Sequence, residues 1–140
     1  MTDTNHIDRA FVTMDREFGR VDILGNVAGE AKAGAAEEMT LVDVRTTFHN
    51  LVISRYYTCQ LAGRRMLAQG KGSTMSIGSI AGVSSLGRVQ SVYGMAMAAV
   101  IQMTREISTE WVGRGVRVNC ILPAQVLGAN GLGPRMEADP

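Results

Sequence analysis

The sequence predicts an α/β protein on a doubly wound parallel sheet with flanking helices, on three observations. Short apolar segments at 21–27, 73–80 and 116–122 have the length and composition of buried strands. Stretches with apolar residues at helical spacing stand between them, at 41–68 and 91–112, and a further one at 7–18 precedes the first. Glycines end each helical stretch, at Gly19, Gly70 and Gly113. Strands alternating with helices make βαβ units, hence parallel strands with helices expected on both faces.

Each element has a local reason. Ile7, Ala10, Phe11, Met14 and Phe18 fall on one helical face. VDILGNVAG reads as a strand, and a Gly/Ala-rich loop follows at about 30–38. Thr40 and Asp43 have capping-box spacing, with aspartate in the place of the usual Glu or Gln. They open one long helix carrying Leu41, Val44, Phe48, Leu51 and Leu61. STMSIGSI is the second strand, AGVSSLGRVQ a loop, and Ala96, Val100, Met103, Ile107 and Trp111 mark one side of the helix that follows. VRVNCIL is the third strand. Residues 1–128 read as one domain and 129–140, rich in Gly and Pro, as a loosely ordered tail.

Composition excludes several classes of function. The 140 residues are 46% hydrophobic and 19% charged, with a formal net charge of +1, which gives no electrostatic footprint for nucleic acid. No apolar run approaches the ~18–20 residues of a membrane span. The polar start MTDTNHIDRA has no signal-peptide core, so a cytoplasmic protein is expected. Cys59 and Cys120 lie far apart in apolar segments, and His6 and His49 have no partner at ligand spacing. Buried thiols and no metal site are the expectation.

The residues that carry chemistry stand in a fixed order. Asn26-Val27-Ala28-Gly29 ends the first strand, Asn50 lies inside the long helix, Ser79 ends the second strand, Tyr93 opens the next helix, and VRVNCILPA closes the series. Taken singly these are a strand-end turn, a helix asparagine, a strand-end serine and a packed ring. As an ordered set over roughly residues 7–128 they resemble the short-chain dehydrogenase/reductase family, NAD(P)-dependent oxidoreductases on a Rossmann fold. The resemblance implies a partial Rossmann-like sheet, with Tyr93, Ser79 and Asn50 as catalytic residues. Asn26, Ala28, Gly29, Pro123 and Ala124 would line the cofactor, NAD or NADP, and the substrate would be a small carbonyl or alcohol. Helices 41–68 and 91–112 would form the interface of a homo-oligomer.

The same resemblance marks departures. Val27 stands for a second asparagine, Ala124 for a glycine, and Met97 for the lysine one turn after the tyrosine. The family's first strand, glycine-rich turn and helix have no counterpart in these residues, which reads as a truncated member whose strand 21–27 is a sheet edge. The chemistry needs a cation: a phenol has pKa ≈ 10 and a nearby positive charge lowers it by roughly 1–3 units. Methionine has none to give, and Lys32 and Lys71, the two lysines, lie elsewhere. Arg88 is the basic residue closest before Tyr93 in sequence. An impaired oxidoreductase is therefore one expectation, and a silent relative serving as an oligomerisation or binding module the other.

Overall fold

The computed structural model describes residues 4–124, so the expected tail at 129–140 lies outside the described residues. Helix α1 (Thr4–Phe18) leads to strand β1 (Ile23–Asn26). Helices α2 (Leu41–Phe48) and α3 (Ser54–Gln69) follow, then β2 (Gly72–Ile77), α4 (Ser91–Trp111) and β3 (Val116–Ile121). The strands are parallel in the order β1-β2-β3, with Asn26 beside Ser76 and Ser76 beside Cys120. The α/β class and the flanked parallel sheet are as the sequence predicts. Among the described residues no helix is long and apolar enough to cross a membrane.

The helical cover differs from expectation. The chain moves from β1 to β2 to β3 in one direction, and right-handed crossovers taken in one direction put their helices on the same face. Leu24, Thr74, Ser76, Val116 and Val118 are turned to that face and wholly or partly buried. On the opposite face Ile23 is 77% exposed and Ile121 48%. Cover for a second face needs a reversal of strand order, and the described strands contain none.

Local detail follows the sequence closely, with three corrections. Thr40 caps α2 by accepting from the Asp43 N–H at 3.1 Å while its hydroxyl donates to the Asp43 carboxylate at 2.7 Å. Gly70, at φ 69°, ends α3. Phe18 and Leu41, placed on the buried faces by spacing, are 75% and 69% exposed, because each sits on the end turn of its helix beyond the core. β1 is shorter than 21–27, and Val21 is held instead by both ends of the Gln69 amide. The long helix is broken at His49–Ile53 by one π turn, taken up below.

The core lies under the covered face. Ile7 and Phe11 of α1 meet Cys59, Ala62 and Met66 of α3 and Val116 of β3. Arg65 lies over the Phe11 ring at 4.8 Å and forks the Asp15 carboxylate, which holds that carboxyl below its usual 3.8. Burial pushes the Cys59 thiol up to about 11, so it is an inert core group, as expected of it; Cys120 is half-buried.

Candidate active site

The carboxyl ends of parallel strands are where α/β sheets bind ligands, because loops and helix N-termini gather there. β1 ends at Asn26, which is buried and faces down: its amide donates to the Arg55 carbonyl at 3.3 Å and to the Cys59 sulfur at 3.1 Å. Its side-chain nitrogen is a strut between the sheet and α3. Val27, Ala28 and Gly29 then rise out of the sheet and are exposed. At Gly29 φ is 146°, and a Cβ there would lie 2.7 Å from Leu51 Cδ2 and 3.2 Å from the Asn50 carbonyl oxygen. Glycine is required both for the dihedral and for this approach.

The surface that Gly29 meets is the π turn. Asparagine competes with helix geometry through its own amide, and Ser54 donates its hydroxyl to the His49 carbonyl at 2.8 Å. Such π turns occur often at functional sites. This one places Asn50, 8% exposed, with its Oδ1 buried and lacking a hydrogen-bond partner. A buried acceptor without a donor costs free energy and marks a place for a donor to be supplied.

Ser79 follows β2. Gly78 still pairs with β3, donating to the Ile121 carbonyl at 2.8 Å, and Ser79 is extended. Its hydroxyl oxygen accepts from the Ala81 N–H at 3.1 Å, capping a short 3₁₀ turn at Ile80–Gly82. Its proton remains free to donate elsewhere. The Pro123 carbonyl accepts from the Ile80 N–H at 3.2 Å, so the end of β3 fixes the same turn, and Ala124 follows exposed.

Tyr93 stands in the first turn of α4, half-buried, with its ring on the cluster of Leu51, Ala96, Met97 and Val100. Met97 is 1% exposed and is part of that dry core. Asn50, Ser79 and Tyr93 thus stand at the same end of the sheet, on the π turn, after β2 and at the start of α4.

Sequence reasoning missed Arg55. It lies 3% exposed on the inward stripe of α3, between Leu51 and Cys59 at intervals of four. Its Nη1 donates to the Ile77 carbonyl at 2.6 Å and its Nη2 to the Val27 carbonyl at 3.2 Å, joining the carboxyl ends of β2 and β1. Burial lowers its pKa, while the Tyr93 phenol and the Cys120 and Cys59 thiols raise it. The signal was present: an arginine in phase with apolar residues on a helix is either buried for a reason or out of register. Arg88, the sequence candidate, is exposed on the loop before α4. It lines a cleft of about 400 Å³ flanked by Gly94, Met95 and Ala98, not by Tyr93.

A family model described as enoyl-(acyl carrier protein) reductase matches residues 1–131. The chain is 35% identical over 127 residues to D-threitol dehydrogenase of Mycolicibacterium smegmatis, covering 91% of this chain and 48% of that protein. It is 35% identical over 131 residues to 2-keto-3-deoxy-L-fuconate dehydrogenase of Xanthomonas campestris, covering 92% of this chain and 43% of the relative. Among solved structures, a short-chain dehydrogenase from Streptomyces avermitilis superposes with a TM-score of 0.85 at 29% identity, over 92% of this chain and 47% of the other. The chain spans about half the length of the relatives it matches. With the parallel strand order and these matches in accord, the chain belongs to the short-chain dehydrogenase/reductase family of oxidoreductases.

Proposed function

We propose that this chain carries the nicotinamide-side half of a hydride-transfer site acting on a small carbonyl or alcohol. The observation that supports this most is the convergence of Asn50, Ser79 and Tyr93 at the carboxyl end of one parallel sheet. NAD or NADP, when bound, supplies or accepts the hydride. Tyr93 gives a proton to the substrate oxygen or takes it away, and Ser79 donates its free hydroxyl proton to that oxygen. Asn50 offers its unpaired Oδ1 to a water or ligand donor.

The residues present fit the nicotinamide end of a dinucleotide. Gly29 leaves open backbone beside the π turn where a Cβ would collide, and Ala28, Pro123 and Ala124 are the neighbouring backbone. Asn26 holds this backbone in place from below. Among the described residues no strand passes through a glycine-rich turn straight into a helix, so no residue is assigned to the pyrophosphate. Two free cysteines suit a reducing compartment, and we place the protein in the cytoplasm.

A silent oligomerisation module is the second reading. It is favoured by Met97 in the core and by a groove of about 580 Å³ between α3 and α4, lined by Tyr56, Met103, Ile107 and Trp111. One experiment separates the two: titrate NADH and NADPH into purified protein, following nicotinamide fluorescence, and measure mass by light scattering. Saturable binding in the micromolar range supports the oxidoreductase reading. No binding to millimolar cofactor sinks it, and a dimer or tetramer in that sample leaves the module reading standing. A cofactor-silent monomer sinks both.

A further inference from the structure

Two of the three strand ends at the candidate site are held by the sheet itself. The pairing of β2 with β3 runs to Ile77 beside Ile121. Gly78 and Ile80 extend it, donating to the Ile121 and Pro123 carbonyls at 2.8 and 3.2 Å. The pairing of β1 with β2 stops at Asn26 beside Ser76, so the ladder does not reach Val27, Ala28 and Gly29, which are exposed. Arg55 spans this gap from the first turn of α3. Its Nη1 donates to the Ile77 carbonyl at 2.6 Å, on the side the sheet holds, and its Nη2 to the Val27 carbonyl at 3.2 Å, on the side it does not. Nη2 also lies 3.7 Å from the point a Gly29 Cβ would occupy.

Stability alone does not explain such a side chain. Arg55 is 3% exposed, both its acceptors are neutral, and its Nε is buried without a hydrogen-bond partner. Among the described residues no carboxylate pairs with it. The hydrogen bonds of a cation buried in this way roughly offset the cost of burying it. What the guanidinium does provide is geometry: its planar, rigid fork fixes two acceptors relative to each other, as an ammonium on a flexible stem does not. We infer that Arg55 is a positioning residue, which ties the backbone at 27–29, beyond the reach of the ladder, to the fixed end of β2. Its use in cofactor binding rests on the oxidoreductase reading, in which this backbone lines the nicotinamide end of the cofactor; the ordering of 27–29 needs no cofactor.

The test measures ¹⁵N relaxation of the backbone amides and a thermal melt on the whole chain without cofactor, in the parent and in Arg55→Met. Methionine fills the buried space and has no N–H to donate. Ala28 and Gly29 are expected near the order parameter of about 0.85 of rigid backbone in the parent and below about 0.6 in the variant. Gly78 and Ile80, held by β3, should keep the parent's values, and the melting temperature should stay within about 5 °C. Unchanged order at Ala28 and Gly29, or disorder there already in the parent, overturns the inference. Order lost at Gly78 and Ile80 as well, or a larger fall in melting temperature, overturns it too, because Arg55 would then hold the fold at large. Should Arg55→Met not fold, Arg55→Lys, which keeps the buried charge without the planar fork, is read by the same criteria.

NADH titration of the same proteins reads the consequence for the site. A backbone that is in its binding geometry only a tenth of the time or less weakens affinity about tenfold or more. Equal affinity in parent and variant removes Arg55 from cofactor binding. A parent that binds no NADH, with 27–29 loosened in the variant, keeps the positioning role and sinks the oxidoreductase reading; a parent that binds NADH, with 27–29 unmoved in the variant, does the reverse.

Discussion

Tyr93→Phe is expected to lower kcat about 10²–10⁴-fold, the usual contribution of a positioned proton donor, and to leave cofactor affinity within about twofold. The variant removes one oxygen from a half-buried ring whose packing is with Leu51, Ala96, Met97 and Val100. Those apolar contacts survive, so the melting temperature should shift little. Steady-state kinetics on a substrate that the parent turns over, with a thermal melt of each protein, checks both halves. Equal kcat in parent and variant would remove Tyr93 from the proton's path. A large fall in melting temperature would instead make any lost turnover a matter of folding.

Gly115→Ala should be the most damaging single methyl group in the described fold. Gly115 sits at φ 82°, where an L side chain is strained, and its added Cβ would lie 2.0 Å from the Gly70 carbonyl oxygen. That obstacle is backbone, which cannot swing aside. Relief would separate the turn after α3 from the start of β3 and break the bond from the Gly72 N–H to the Gly115 carbonyl, 3.2 Å long. The left-handed penalty of ~1–2 kcal/mol plus the lost register gives roughly 3 kcal/mol, about 10 °C in melting temperature for a domain of this size. Gly87→Ala is the control: φ is 66°, but nothing lies within 4 Å of its Cβ, so only the first part of the cost applies. Equal melting temperatures for the two variants would show that the collision is relieved without cost.

The order of elements was legible because each helix and strand carries its own periodicity and its own stop. Thr40 with Asp43, Gly19 and Gly70 act within a few residues of themselves, so a reader of the chain sees both partners. Asn50, Ser79 and Tyr93 were singled out by the resemblance of their order to the family's, since Asn50 lies inside the expected long helix where no local stop marks it. Arg55 showed its burial in its phase with Leu51 and Cys59 but not its partners, because the Val27 and Ile77 carbonyls are 28 and 22 residues away and are backbone groups, which leave no mark on residue identity. The π turn was hidden because the residues that favour it, Asn50 and Ser54, are equally compatible with an unbroken helix. Helical spacing counted Phe18 and Leu41 as core because spacing gives a direction around a helix but not where along it the core stops.

A sheet with helices on one side has a softer response to denaturant than its residue count suggests. The slope of unfolding free energy against urea grows with the surface newly exposed on unfolding. Ile23, Val27, Met75 and Ile121 are already open in the folded chain and add little to that slope. The urea transition of residues 1–140 alone should therefore be broad for a chain of this length. Anything that seats on the bare face, whatever its origin, should show itself first as a steeper transition. Widening the gap between folded and unfolded solvation is a change that a melting temperature by itself would not identify.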